Sequence, residues 1–139
     1  MLKFPSLEWV EAFGKAINAS EEYKVAGKPW TFGVTAMVVK AQPDIGHNED
    51  FGIWLDLHEG VCRDARYCTF EEAQTAPFCI VGEYARWKQV IHKELDPVKG
   101  MMQGKLKLKG NLQIIVRNVK AAQALVNCST QVPTKFLDE

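Results

Sequence analysis

The stretch Asp96 to Leu112, Asp-Pro-Val-Lys-Gly-Met-Met-Gln-Gly-Lys-Leu-Lys-Leu-Lys-Gly-Asn-Leu, constrains this chain more than any other, because it places two helix starts and a strand in very few residues. Asp96 can cap a short helix that has Pro97 in its first turn, and Gly104 can end it. Lys105 to Lys109 then alternates lysine with leucine at the period of two that a half-buried strand requires. Gly110-Asn111 breaks that strand and caps a long helix. Along it Leu112, Ile115, Val116, Val119, Ala122 and Val126 recur at three and four, so one stripe is apolar and needs an apolar partner.

The remaining elements can be read in the same way. Ser6 caps a helix with Trp9, Val10, Phe13, Ala16 and Ile17 on one face, ending near residues 18–20. Trp30 to Lys40 reads as a strand with Phe32, Val34, Ala36 and Val38 on one face. After the turn-forming residues of Gln42 to Asp50, Phe51 to His58 alternates again, with Phe51, Ile53, Leu55 and Leu57 inward and Trp54, Asp56 and His58 outward. Glu59-Gly60 leads tightly into a third strand, Val61 to Cys68, completing an antiparallel meander. Thr69-Phe70-Glu71-Glu72 is a capping box for a short helix. Phe78 to Val81 is a short strand, and Glu83 to Lys93 a helix with Tyr84, Trp87, Val90 and Ile91 buried. Every apolar stripe is satisfied by one layered α+β domain over residues 1–139, with a sheet covered by helices on one face.

Composition narrows the function. The 139 residues carry 17 basic and 17 acidic side chains, and a balanced chain of this kind lacks the basic footprint of a nucleic-acid binder. Lys99, Lys105, Lys107 and Lys109 form a local basic cluster, read first as a solvated edge and second as a site of transient contact with an anionic membrane. Cys62, Cys68, Cys79 and Cys128 contain no Cys-x-x-Cys pair, and His47, His58 and His92 are scattered. The thiols are therefore expected to be reduced, buried and metal-free, as in a cytoplasmic protein. Cys62 and Cys68 are six apart and in one regular strand would face the same side. The run Met1-Leu2-Lys3-Phe4-Pro5 has no signal-peptide core, and no apolar run is long enough to span a membrane.

No catalytic constellation emerges. His47-Asn48-Glu49-Asp50 groups an imidazole with two carboxylates, but neighbouring loop residues point apart, and a solvated loop is the simpler expectation. Asp56, His58, Arg63 and Asp64 fit cross-strand ion pairs. There is no Gly-x-Ser-x-Gly elbow and no dinucleotide fingerprint, and Gly104-Lys105 lacks the Ser or Thr of a phosphate loop. The expectation is a protein that is not an enzyme and needs no cofactor. Met101-Met102 and the helix stripe suit either ordinary core packing or the wall of a cavity, and the residues alone leave both open.

Several of these segments resemble the sterol carrier protein type 2 family. They are Val81 to Val90, which places Trp87 in a helix after a short apolar strand; the Leu-Asp-Pro turn at Leu95 to Pro97; and Gly-Lys-Leu-Lys-Leu-Lys-Gly-Asn at Gly104 to Asn111. The similarity is most specific from Phe78 to Val126, and Trp-Leu-Asp-Leu-His-Glu-Gly at Trp54 to Gly60 extends it upstream. The resemblance implies a five-stranded, largely antiparallel sheet covered by helices, with an apolar tunnel between the layers. It also implies non-enzymatic binding or transfer of fatty acid, fatty acyl-CoA or sterol-like lipid. The candidate lipid-contacting residues are Phe32, Val34, Phe51, Ile53, Leu55, Phe78, Ile80, Met101, Met102, Leu112, Ile115, Val116 and Val119. The alternative is an interaction or dimerisation module in which the same groove holds a partner segment or a second copy in a homodimer. The final Phe136-Leu137-Asp138-Glu139 is not a Ser-Lys-Leu address, so a peroxisomal location is not carried over from the resemblance.

Overall fold

Tight turns and caps divide the chain into the order the sequence leads one to expect, with a few additions. A computed structural model describes all residues 1–139. In chain order the elements are β1 (Leu2–Phe4), α1 (Leu7–Ala19), α2 (Glu21–Ala26), β2 (Thr35–Val39), β3 (Phe51–His58), β4 (Val61–Cys68), α3 (Phe70–Ala73), β5 (Phe78–Gly82), α4 (Tyr84–Ile91), α5 (Pro97–Met102), β6 (Lys107–Lys109), α6 (Leu112–Arg117), α7 (Val119–Thr130) and β7 (Thr134–Phe136). The caps are those of the sequence. Ser6 accepts from the Trp9 amide, Asp96 from Val98 and Lys99 with Pro97 in the first turn, and Asn111 from Gln113 and Ile114; Thr69 and Glu72 form the reciprocal capping box.

The main sheet has the order β4-β3-β2-β5-β6. β2 pairs antiparallel with β3 and parallel with β5, while β3–β4 and β5–β6 are antiparallel, so the sheet is mixed and the meander is as expected. Glu59 and Gly60 join β3 to β4 with φ of 49° and 84°, the left-handed pair of a type I′ hairpin turn. A separate two-stranded parallel pair, β1 with β7, brings the two ends of the chain together. Tyr84 locks that junction: its buried hydroxyl donates to Phe4 O at 2.7 Å and accepts from the Leu137 amide at 3.0 Å.

Helices α1, α2 and α4 to α7 lie over one face of the sheet, and between them sits the larger core, which includes Trp9, Phe13, Ile17, Tyr23, Leu55, Leu57, Trp87 and Leu106. α1 comes down closely on β4 at Gly14, where a Cβ would lie 2.6 Å from that of Ala65. The other face is not bare. α3 covers part of it, burying Ala36, Val38, Cys68, Ala73, Ala76 and Cys79 in a smaller second core. β2 is therefore buried on both sides. This alters the expected facing: Ala36 and Val38, and Val34 at the edge, belong to the small core, whereas Thr35, Met37 and Val39 face the helices. A central strand apolar on both faces gives no alternation to read.

Three further features differ from expectation. Cys62 and Cys68 lie in opposite cores, because a bulge in β4 shifts the register: Asp56 pairs with Asp64 but Leu57 with Cys62, leaving Arg63 as the extra residue. The long C-terminal helix is broken at Asn118, which leaves helical geometry at φ −114° and ψ 33°, and whose side-chain amide donates to Ile114 O at 2.8 Å. His47 is buried instead of solvated, with Nε2 3.2 Å from Val39 O and its ring 5.6 Å from that of Tyr84.

Candidate functional site

A cavity of about 110 Å³ lies between the sheet and the helical layer, with 19 of its 23 lining residues hydrophobic. Its floor is Thr35, Met37 and Val39 of β2, Ile53 and Leu57 of β3 and Ile80 of β5. Its walls are Trp9 and Phe13 of α1, Tyr23 of α2, Trp87, Val90 and Ile91 of α4, Met101 of α5, Ile115 of α6, and Ala121, Ala122, Leu125, Val126 and Ser129 of α7, with Trp30 and Phe4 from flanking segments. The space exists because α7 presents alanines and a serine where a fully packed core would have larger side chains.

No charged side chain lines this cavity. Of its polar groups, Ser129 gives its hydroxyl proton to Val126 O at 2.6 Å and Asn118 gives an amide proton to Ile114 O. Tyr23 is wholly buried, and its hydroxyl has no hydrogen-bond partner. Burial pushes its phenol well above the ordinary range, and the nearby Cys62 and Cys128 thiols add to the effect, so the phenol stays protonated. Burial likewise raises the Cys62 and Cys68 thiols to about 11. An apolar hollow of this kind can hold a lipid-like molecule and offers no general base or nucleophile of perturbed reactivity.

The sequence-predicted contacts fall into distinct groups. Ile53, Ile80, Met101 and Ile115 lie on the cavity wall. Phe51, Leu55, Phe78, Leu112 and Val119 pack into the surrounding core without reaching it. Val34 is on the far face, while Phe32, Met102 and Val116 are exposed. Met102 is the last residue of α5, and Val116 lies on the outer side of α6, whose Ile115 reaches the cavity instead. The residues not anticipated are chiefly Tyr23, Trp30, Thr35, Met37 and Val39. A Ser-Glu-Glu cap at Ser20 to Glu22 was the available sign of α2.

The basic cluster is also divided. Lys107 and Lys109 pair with Val81 and Cys79, which puts both on the α3 side of the sheet, and Lys109 Nζ donates to Gln74 O. Lys99 and Lys105 are exposed in the segment around Met102, and Lys107 Nζ turns back to within 3.7 Å of the Cβ position of Gly104 in that same segment. A groove of about 510 Å³ between α1 and β4, edged by Glu11, Lys15, Arg63 and Asp64, is wide open to solvent and lined mostly by polar residues.

The model of the SCP-2 sterol transfer family matches residues 13–123. The chain belongs to that family. Its domains are non-catalytic lipid-transfer modules, and lipid binding or transfer without catalysis is the activity that membership brings to this chain. A crystal structure of sterol carrier protein 2 is 32% identical, with a TM-score of 0.83 over 91% of this chain and 97% of that one. The solution structure of a conserved hypothetical protein from Thermus thermophilus, described as possibly sterol carrier protein, is 31% identical with a TM-score of 0.83 over 94% and 90%. Apo sterol carrier protein 2 from Yarrowia lipolytica, at 14% identity and a TM-score of 0.56 over 87% and 88%, shares the fold. No curated protein sequence matches. The mixed five-stranded sheet flanked by helices is thus the architecture of the SCP-2 family.

Proposed function

We propose that this SCP-2 family chain carries one lipid at a time, with an acyl chain or a sterol-like body held in the cavity between the sheet and α7. The observation that carries this reading is the apolar cavity between the two layers, without a charged lining residue. Ligand pockets of drug-sized molecules run to about 300–1,000 Å³, so the cavity of about 110 Å³ is a closed state that widens on binding. The widening falls to α5 and α6, which are short and separated from α7 by the break at Asn118.

Each buried methylene contributes roughly 0.8 kcal/mol, and drug-sized ligands reach about 0.3 kcal/mol per heavy atom net. A long chain then binds in the micromolar range, exchanges quickly and is selected loosely. Contact with an anionic membrane is assigned to Lys99, Lys105 and Lys107, all exposed in the α5–β6 segment that also exposes Met102. A cytoplasmic location goes with four free, buried thiols. The reading as a dimerisation module has less support, since most of the candidate apolar contacts face inward between two layers and only Phe32, Met102 and Val116 among them are exposed.

Two measurements test the proposal. An environment-sensitive fluorescent fatty acid should bind and be displaced by unlabelled lipids, more tightly as the chain lengthens; insensitivity to chain length counts against it. Native mass spectrometry of protein purified without detergent should find a lipid bound to a monomer, and an empty tight dimer would favour the interaction module.

A further inference from the structure

Thr35 opens β2, and its hydroxyl makes no hydrogen bond to any protein group, although the residue is only 6% exposed. Its side chain shares the helix-facing side of the strand with Met37 and Val39, all three on the cavity floor, while Ala36 and Val38 turn to the small core. β3 and β5 close β2 on both flanks, with Leu55 and Phe78 directly beside Thr35. The Tyr23 hydroxyl is the one unpaired side-chain nitrogen or oxygen with no accessible surface at all, so the Thr35 oxygen keeps some. With both flanks closed, that surface belongs to the cavity. The other polar groups of the wall are already engaged. The indole N–H groups of Trp9, Trp30 and Trp87 donate to Thr134 Oγ1, Gly33 O and Val38 O, Ser129 donates to Val126 O, and Asn118 is half-buried with its amide on Ile114 O. A buried hydroxyl without a partner costs free energy comparable to a lost hydrogen bond, and native proteins rarely keep one without use.

From this arrangement we infer that Thr35 is a specificity-determining residue, whose hydroxyl bonds a neutral oxygen of the lipid, an alcohol or a carbonyl, and so fixes which end of the lipid lies over the start of β2. A threonine hydroxyl can donate to a carbonyl and can both donate to and accept from an alcohol. An ionised carboxylate does not fit there. No lysine, arginine or histidine lines the cavity, and a charge buried with one hydroxyl for company would be strongly disfavoured. Thr35 to Val39 spans about 13 Å at roughly 3.3 Å per residue, so a chain anchored at Thr35 runs over Met37 toward Val39 and Trp87. This inference rests on the cavity being the lipid site.

The test compares decanol with undecane, which has the same number of heavy atoms, each displacing a fluorescent fatty acid from the wild type, Thr35→Val and Thr35→Ser, with inhibition constants corrected for the probe's own affinity. Valine keeps the branched shape and removes only the oxygen; serine keeps the oxygen and removes the methyl. In Thr35→Val decanol should weaken about two- to tenfold, the span of one net hydrogen bond, while undecane keeps its affinity. Thr35→Ser should retain the preference for decanol. Denaturant unfolding should show Thr35→Val to be at least as stable as the wild type, and a loss of stability would mean that the hydroxyl is bonded within the protein, which overturns the inference. Equal weakening of both ligands in Thr35→Val, or none, would overturn the role of Thr35 while leaving lipid binding intact. Failure of both ligands to displace the probe from the wild type would instead overturn the cavity as the lipid site, and this inference with it.

Discussion

Filling the cavity should make the protein more stable and less able to carry lipid, and Ala122→Leu is the substitution that tests this. Ala122 is on the cavity wall in α7. Alanine and leucine have nearly equal helix propensity, so the helix itself is unaffected. Three added carbons contribute at most about 2.4 kcal/mol at roughly 0.8 kcal/mol per buried methylene. The space sets a similar ceiling: 110 Å³ at about 24 cal/mol per Å³ is about 2.6 kcal/mol. Ordering the leucine side chain takes back about 0.5–1 kcal/mol, leaving a gain of about 1–2 kcal/mol. With 139 residues unfolding at about 2.1 cal/mol/K each, 1 kcal/mol corresponds to about 3–4 °C in Tm. Calorimetry or denaturant melts read the gain, and titration with a fluorescent fatty acid should show at least about tenfold weaker binding. Ala124→Leu is the control. Ala124 is fully buried in the same helix but is not on the cavity wall, so overpacking should cost about 1–3 kcal/mol there. Should Ala122→Leu destabilise as much as Ala124→Leu, or bind the probe like the wild type, the cavity is neither real free volume nor the lipid site.

Three other outcomes follow from specific contacts. Tyr84→Phe removes the hydroxyl bonded to Phe4 O and to the Leu137 amide, and should cost about 1–3 kcal/mol in denaturant melts, with faster amide exchange at Leu137. The four thiols, all buried and all raised by burial, should react with a thiol reagent very slowly in the native state near neutral pH and completely after denaturation; rapid native labelling of Cys62 or Cys68 would contradict their placement. Hydrogen bonds from Lys88 and His92 hold the Glu139 carboxyl below the ordinary carboxylate range, so the clasp on the C-terminal tail is in force above the unfolded-state pKa and is lost as pH falls through the folded-state value. Chemical shifts of Glu139 followed through an acid titration check the direction.

Much of the fold is legible in the sequence because its signals are local. Ser6, Thr69, Asp96 and Asn111 each cap the helix they precede, and the alternation in Phe51 to His58 points Ile53, Leu55 and Leu57 toward the helices. What is not legible depends on partners distant in sequence. β2 reads as one-sided only until α3 is seen covering its other face, and the facing of Val34 and Met37 then reverses. Arg63 looks like any strand residue, yet as a bulge it sends Cys62 and Cys68 to different cores. Asn118 occurs within a periodic apolar stripe, and only the geometry shows that it ends α6.

The cavity is the least legible feature of all, because it is defined by missing volume. A list of large apolar residues finds a core, and so it finds Phe51, Leu55 and Phe78, which pack tightly and leave no room. The space arises where large and small side chains face each other without filling the gap: Met37 and Ile53 on the sheet, Ala121, Ala122 and Ser129 on α7. Small residues on a helix face normally bring it closer to its neighbour, but here Trp9, Phe13 and Trp87 stand around the cavity and hold the two layers apart. The aromatic ring of the wall and the alanines of α7 are therefore one device. Packing that would stabilise the protein by about 1–2 kcal/mol is left undone, and the unfilled volume is what a lipid can occupy.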